Sequence, residues 1–302
     1  MRSAFVSLRN FLPLAAAILS YAAIANAQQS AAPATQGAET KQPARTVVRG
    51  EVRPKIRTIT AFINLDPSQY KQQVAETMQM LRRAKTIFES RGYEVQTLRI
   101  ATQPFPEYTK GMSTQQAVAF FKEYDALAVK EKFAASIGPA MLNADDSAAQ
   151  GELLGEILFN TKSLNATLAV AGEDGVRWNA VGAAAKVMKR LEETEHSQGN
   201  FRFAAVAMVA PLPPFFPAAY HTGFGHQFAI ALESANIVAA AFKDARDLGM
   251  ARQRLIDALV STAFDVEHHA GRVDQEPAGR TWESIFRRRL REMFPSAPPL
   301  KI

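Results

Sequence analysis

His221, His226 and Glu233 follow one another at the spacing H-x4-H-x6-E, directly after the proline-rich loop 211–217. An imidazole changes charge near neutral pH and moves protons readily, and a carboxylate within reach orients it. His221 with Glu233 is therefore the expected proton-transfer pair, with His226 beside it. Prolines and the adjacent Phe215 and Phe216 stiffen the loop, which suits a wall that positions a ligand. Gly223 and Gly225, between the histidines, let backbone approach a ligand closely. The same side-chain types also bind zinc, but this spacing matches no zinc motif, so no metal is assigned. The competing reading makes His221 a turn cap and puts Glu233 on an exposed helix face.

A second set concerns binding. Arg99 ends a predicted strand, Thr102 follows in the loop, and Asn64 lies at the equivalent end of the first strand. Ligands of α/β sheets bind at the carboxyl ends of parallel strands. A guanidinium there pairs with a carboxylate or phosphate, although a structural ion pair is an equal alternative. Tyr220, closing the stiff loop, completes the ligand-binding set.

Other candidates resolve blandly. Arg202 starts its strand and reads as structural, and His196 merits no role. His268 and His269 point about 100° apart on a helix, which disfavours one shared ion, so a solvated helix end is expected. Gly172-x-x-Gly175 has turn chemistry, not the glycine pattern of a phosphate loop.

The elements that must carry these residues alternate. Strands are predicted at 58–65, 93–101, 133–137, 164–171 and 202–209. Between them, Val74, Met78, Leu81, Ala84 and Phe88 recur at helical spacing, with Asp66-Pro67 as the expected start and Gly92 as the C-cap. Ser113 and Gln116 form a capping box. Further helices are expected at 147–160, 181–191, 227–243, 247–267 and 280–293. The last has Trp282, Ile285, Phe286 and Leu290 on one side and arginines nearby, so it is expected to dock on the domain, with an anionic membrane surface as the weaker option. Strands alternating with long helices indicate a largely parallel α/β sheet.

Residues 1–27 have a basic start, an apolar run and Ala25-Asn26-Ala27, the pattern of a cleaved secretory signal peptide. Residues 28–50 read as a disordered leader and 51–302 as a single α/β domain. The expected location is therefore the periplasm or the exterior, with no transmembrane segment after cleavage. The chain has no cysteine, which rules out thiolate nucleophiles, thiolate metal sites and disulfides. A net charge of +6 without a basic tract interleaved with aromatics excludes a nucleic-acid surface.

Several segments resemble one family. IRTITAFINLDPS (56–68) with GYEVQTLRIAT (92–102), and GNFRFAAVAMVAPLPPFFPAAYH (199–221) with FAIALESANIV (228–238), are similar to domain-of-unknown-function family 711, also called uncharacterised protein family 0210. The resemblance spans about residues 55–265 and implies a barrel-like core similar to pyruvate formate-lyase-type glycyl radical enzymes. It implies no activity, and radical chemistry is excluded because the cysteine relay and the glycyl-radical motif are missing. Members carry a further C-terminal portion, so a shortened, incomplete barrel is expected here.

The reading that results is an exported α/β protein binding a small polar or anionic metabolite, with non-radical acid–base catalysis as an option. The alternatives are a non-catalytic binding or scaffold module and an envelope adaptor. Cofactor, substrate and oligomeric state stay open, a homo-oligomer included.

Overall fold

The computed structural model describes residues 52–273 and 282–284. Its first strand shows how the two sides of the sheet are set. Along β1 (Lys55–Ile63), Ile56, Ile59, Ala61 and Ile63 enter the main apolar core, while Thr58, Thr60 and Phe62 face the other way. From Thr58 onward this is the period of two that a pleated strand imposes, and the register shift between Ile56 and Thr58 lets Ile56 share the core side with Ile59.

Helix α1 (Tyr70–Glu89) buries Val74, Met78, Leu81, Ala84 and Phe88 against that core. It begins later than the sequence suggests. Asp66 does not cap it but accepts the Ser68 amide at 2.8 Å, so Asp66-Pro67 builds a preceding turn. Gly92 ends the helix as expected, at φ +82.

Next come β2 (Leu98–Thr102), the short α2 (Phe105–Tyr108) and α3 (Thr114–Glu131), whose Ser113–Gln116 capping box is formed on both sides. The chain continues through β3 (Ala134–Ala140), α4 (Ala149–Phe159) and β4 (Leu164–Gly172), which turns into the two-residue β5 (Gly175–Val176). Helix α5 (Trp178–Glu192), a 3-10 segment (Glu195–Arg202) and β6 (Phe203–Ala207) follow. After a long loop come β7 (His226–Glu233), α6 (Ala235–Phe242), α7 (Leu248–Val273) and β8 (Trp282–Ser284).

The eight strands form one mixed, mostly parallel sheet. β1, β2, β3, β4 and β6 are parallel neighbours in that order, β5 also pairs with β4, β7 runs antiparallel to β1, and β8 lies parallel to β7. The order from β1 to β6 never reverses. Right-handed crossovers then place α1, α3, α4 and α5 all on one face, and their apolar residues form a single cluster with that face of the sheet. A barrel winds in the same sense, but this sheet does not close: among the described residues β6 pairs only with β4 and β8 only with β7. Contacts divide the chain into two compact units, one holding the sheet and its helices (Pro54–Ser234 and Asp265 onward), the other centred on Ala235–Phe264.

Two predicted elements change identity or length. Residues 93–97 make only a bridge between Val95 and Ile56, so β2 is shorter than 93–101. The expected helix 227–243 is instead β7 followed by α6, because Phe228, Ile230 and Leu232 pack with a period of two against the core. The segments 1–27 and 28–50 lie outside the described residues, as does the predicted helix 280–293 apart from Trp282–Ser284, which is a strand.

Candidate functional site

The face of the sheet opposite α1, α3, α4 and α5 is polar. Thr58, Thr60, Arg99, Ser136, Asn165, Thr167 and Gln227 alternate with the core residues of their strands, and all are buried. One row across the sheet reads Gln227, Phe62, Ala101, Ser136 and Asn165. The stretch 208–225 covers this face. Ala219 and Leu212 pack on Phe62 and Ala101, Thr60 Oγ1 donates to the Pro214 carbonyl at 2.9 Å, and the Phe216 ring lies over Arg99. The stiff loop foreseen as a wall is therefore a roof.

Arg99 is the chemical centre of the face. It is 7% exposed and Nη1 donates to Ser136 Oγ at 3.1 Å, while the buried Nε has no partner. Among the described residues no carboxylate pairs with it. Burial, reinforced by the charge of Arg57, pulls its guanidinium down to about 10. Because β2 begins only at Leu98, Arg99 sits near the start of the strand and not at its carboxyl end, where the sequence placed it. The site is on the face, not at the crevice.

Beside this region a cavity of about 320 Å³ opens at the carboxyl ends of β3, β4 and β6. Thr167, Ala169, Val206, Met208, Pro211 and Tyr220 help line it. Tyr220 donates from its hydroxyl to the Val209 carbonyl at 3.3 Å, and burial raises its pKa. Arg177, which sequence reasoning passed over, also borders the cavity. Its guanidinium is committed to Asp174 and to the Met141 and Leu142 carbonyls, so it serves the wall.

The remaining predicted residues separate. His221 is fully buried and its amide donates to the Thr102 carbonyl at 2.8 Å, at the carboxyl end of β2. Asn64, just past β1, donates to the Gly223 carbonyl at 3.1 Å and so anchors the segment between the histidines. His226 opens β7 at the same end of the sheet. Glu233 does not join them. It is exposed and pairs in register with Lys55, at the start of β1. Seven residues of strand rise about 23 Å, whereas the same residues in a helix rise about 10 Å. The change from helix to strand thus breaks the expected His221–Glu233 pair.

Thr102 shares the strand parity of Ile100, and its hydroxyl bonds Tyr108 and the Gln103 carbonyl on the far side from Arg99. It contributes a backbone carbonyl to the site region, not a ligand-facing hydroxyl. Arg202 is structural as expected, donating to the Leu158 and Leu164 carbonyls. His269 departs from the expected solvated end. It is buried, with Nε2 3.5 Å from Asp265 Oδ1, and Asp265 also accepts from Tyr93 at 2.6 Å. Among the described residues no cluster of three metal-binding side chains occurs, and no helix is long and apolar enough to cross a membrane.

Ser136, Thr60 and Gln227 were not singled out from sequence, and Phe216 was named only as a stiffener of the loop. The alternation Thr58-Ile59-Thr60 and the arginine inside the apolar strand Leu98–Ile100 carried part of that signal.

Fold and face define an α/β protein with a singly wound sheet whose polar side is roofed by a proline- and phenylalanine-rich loop. The chain belongs to the family described as Uncharacterised ACR (DUF711), whose sequence model matches residues 50–285. It is similar to a UPF0210 protein of Pyrobaculum islandicum, with 29% identity over 246 residues, covering 74% of this chain and 53% of that protein. The chain thus spans about half the length of the curated relative it matches.

Proposed function

We propose that this protein binds a small anionic or polar metabolite on the polar face of its sheet, with Arg99 as the group that holds the anion. One observation carries this reading: a guanidinium 93% withdrawn from solvent with no carboxylate partner among the described residues. Burying an uncompensated charge costs several kcal/mol, and an arriving anion offsets that cost. Ser136 steadies one nitrogen, and the roof of Pro214 and Phe216 excludes water from the guanidinium.

Catalysis has weaker support than binding. The loss of Glu233 leaves His221 and His226 without the carboxylate proposed for them, so a proton-transfer role rests on the histidines alone. The basic start, apolar run and small-x-small site of residues 1–27 support placing the protein outside the cytoplasm. Mass analysis of the N-terminus after expression in a secreting bacterial host tests this, and an unprocessed, cytoplasmic product refutes it.

The binding reading is tested by thermal melts of the full chain against small carboxylates, phosphates and sulfate. A ligand at one hundred times its Kd adds about 2.7 kcal/mol of stability. A shift in wild type that Arg99→Met abolishes is the expected outcome. A shift that survives the substitution removes Arg99 from the site, and no shift by any anion favours a scaffold without a ligand.

A further inference from the structure

The open edge of Arg99 narrows the ligand class, an inference that rests on the anion-binding reading above. Nη1 is committed to Ser136 Oγ, and among the described residues Nε is buried without a partner and no hydrogen bond engages Nη2. Nε and Nη2 form the edge of a guanidinium that meets two oxygens side by side. The Phe216 ring centroid lies 5.6 Å from Cζ.

We propose that the site takes its ligand by a planar carboxylate, held in the guanidinium plane through Nε and Nη2, in preference to a phosphate. A carboxylate keeps both oxygens in that plane and carries one charge, which one buried guanidinium balances. A phosphate monoester carries about −1.5 to −2 at neutral pH and cannot keep all its oxygens in that plane. The other cation felt by Arg99 is Arg57, which is exposed and hydrogen-bonded to Gln96 Oε1 at 2.9 Å. A second phosphate charge would therefore lack a buried partner.

The test is calorimetric titration of the full chain with acetate, pyruvate, lactate and succinate, against inorganic phosphate and methyl phosphate. At least one carboxylate is expected to bind tenfold or more tightly than either phosphate, and its methyl ester not at all. Arg99→Lys keeps the charge but loses the fork, and is expected to weaken that carboxylate at least tenfold. Equal or tighter phosphate binding that Arg99→Lys retains would overturn the carboxylate preference and leave the anion site standing. Binding of neither class by wild type would overturn both.

Discussion

Arg99 is buried without a counter-charge among the described residues, which costs the unliganded fold stability. Arg99→Met should therefore stabilise the unliganded protein, by on the order of 1 kcal/mol after the lost Ser136 hydrogen bond is counted. The pH dependence carries a definite sign. The folded chain releases the Arg99 proton near pH 10, well before the unfolded chain does, so the unfolded state binds more protons in between. Wild type then gains stability relative to Arg99→Met as pH rises above about 10, and the gap between them narrows. Urea denaturation of both proteins at pH 8 and pH 11 measures it; a methionine variant less stable at both values would make Arg99 a structural residue. Part of this site was legible in the sequence: a lone arginine between Leu98 and Ile100 stands out in any apolar strand. Its position on the face was not legible, because where β2 starts depends on its pairing with β1.

At the scale of elements, the end of α7 is held to α1 by chemistry that responds to acid. His269 packs edge-on against Phe88, with ring centroids 6.1 Å apart, and faces Asp265. Burial lowers its pKa below 6.5, Asp265 opposes that shift, and His268, Arg91 and Arg272 add to it. The unfolded chain thus takes up the proton first as pH falls, and stability is lost from about pH 6.5 downward. In His269→Gln, melts between pH 7 and pH 5 should show a shallower acid slope; identical slopes would assign the loss to other groups. Helix α3 illustrates what local sequence decides unaided. Its capping box was readable in Ser113 and Gln116, and Ser113→Ala should cost about 1 kcal/mol by thermal melt.

For the molecule as a whole, the close approach of β3 to the chain leaving β2 constrains the sheet. Gly138 has φ +78, and a Cβ there would stand 2.3 Å from the Gln103 carbonyl oxygen. Gln103 itself substitutes for strand pairing beyond β1, exchanging hydrogen bonds of 2.8 and 3.0 Å with the backbone of Leu65. Gly138→Ala combines a forbidden φ with a backbone clash and should cost more than about 3 kcal/mol. Chemical denaturation measures that cost, and a loss under 1 kcal/mol would mean the two strands move apart freely.

What the sequence determined by itself was whatever depends on near neighbours: the alternation of strands and helices, the capping box, the glycine at the end of α1, and the family through its PLPPFFPAAYH string. What only the tertiary structure decided was whatever depends on distant partners. Residues 226–233 (HQFAIALE) hold two alanines, a leucine and a glutamate that suit a helix locally, yet antiparallel pairing with β1 makes them a strand and carries Glu233 away from His221. The same pairing, with the loop 208–225 folded back over the sheet, turns Thr60, Arg99 and Ser136 from separate strand residues into one covered polar face. Residues far apart along a chain meet only when the sheet between them forms, and no local pattern records that meeting.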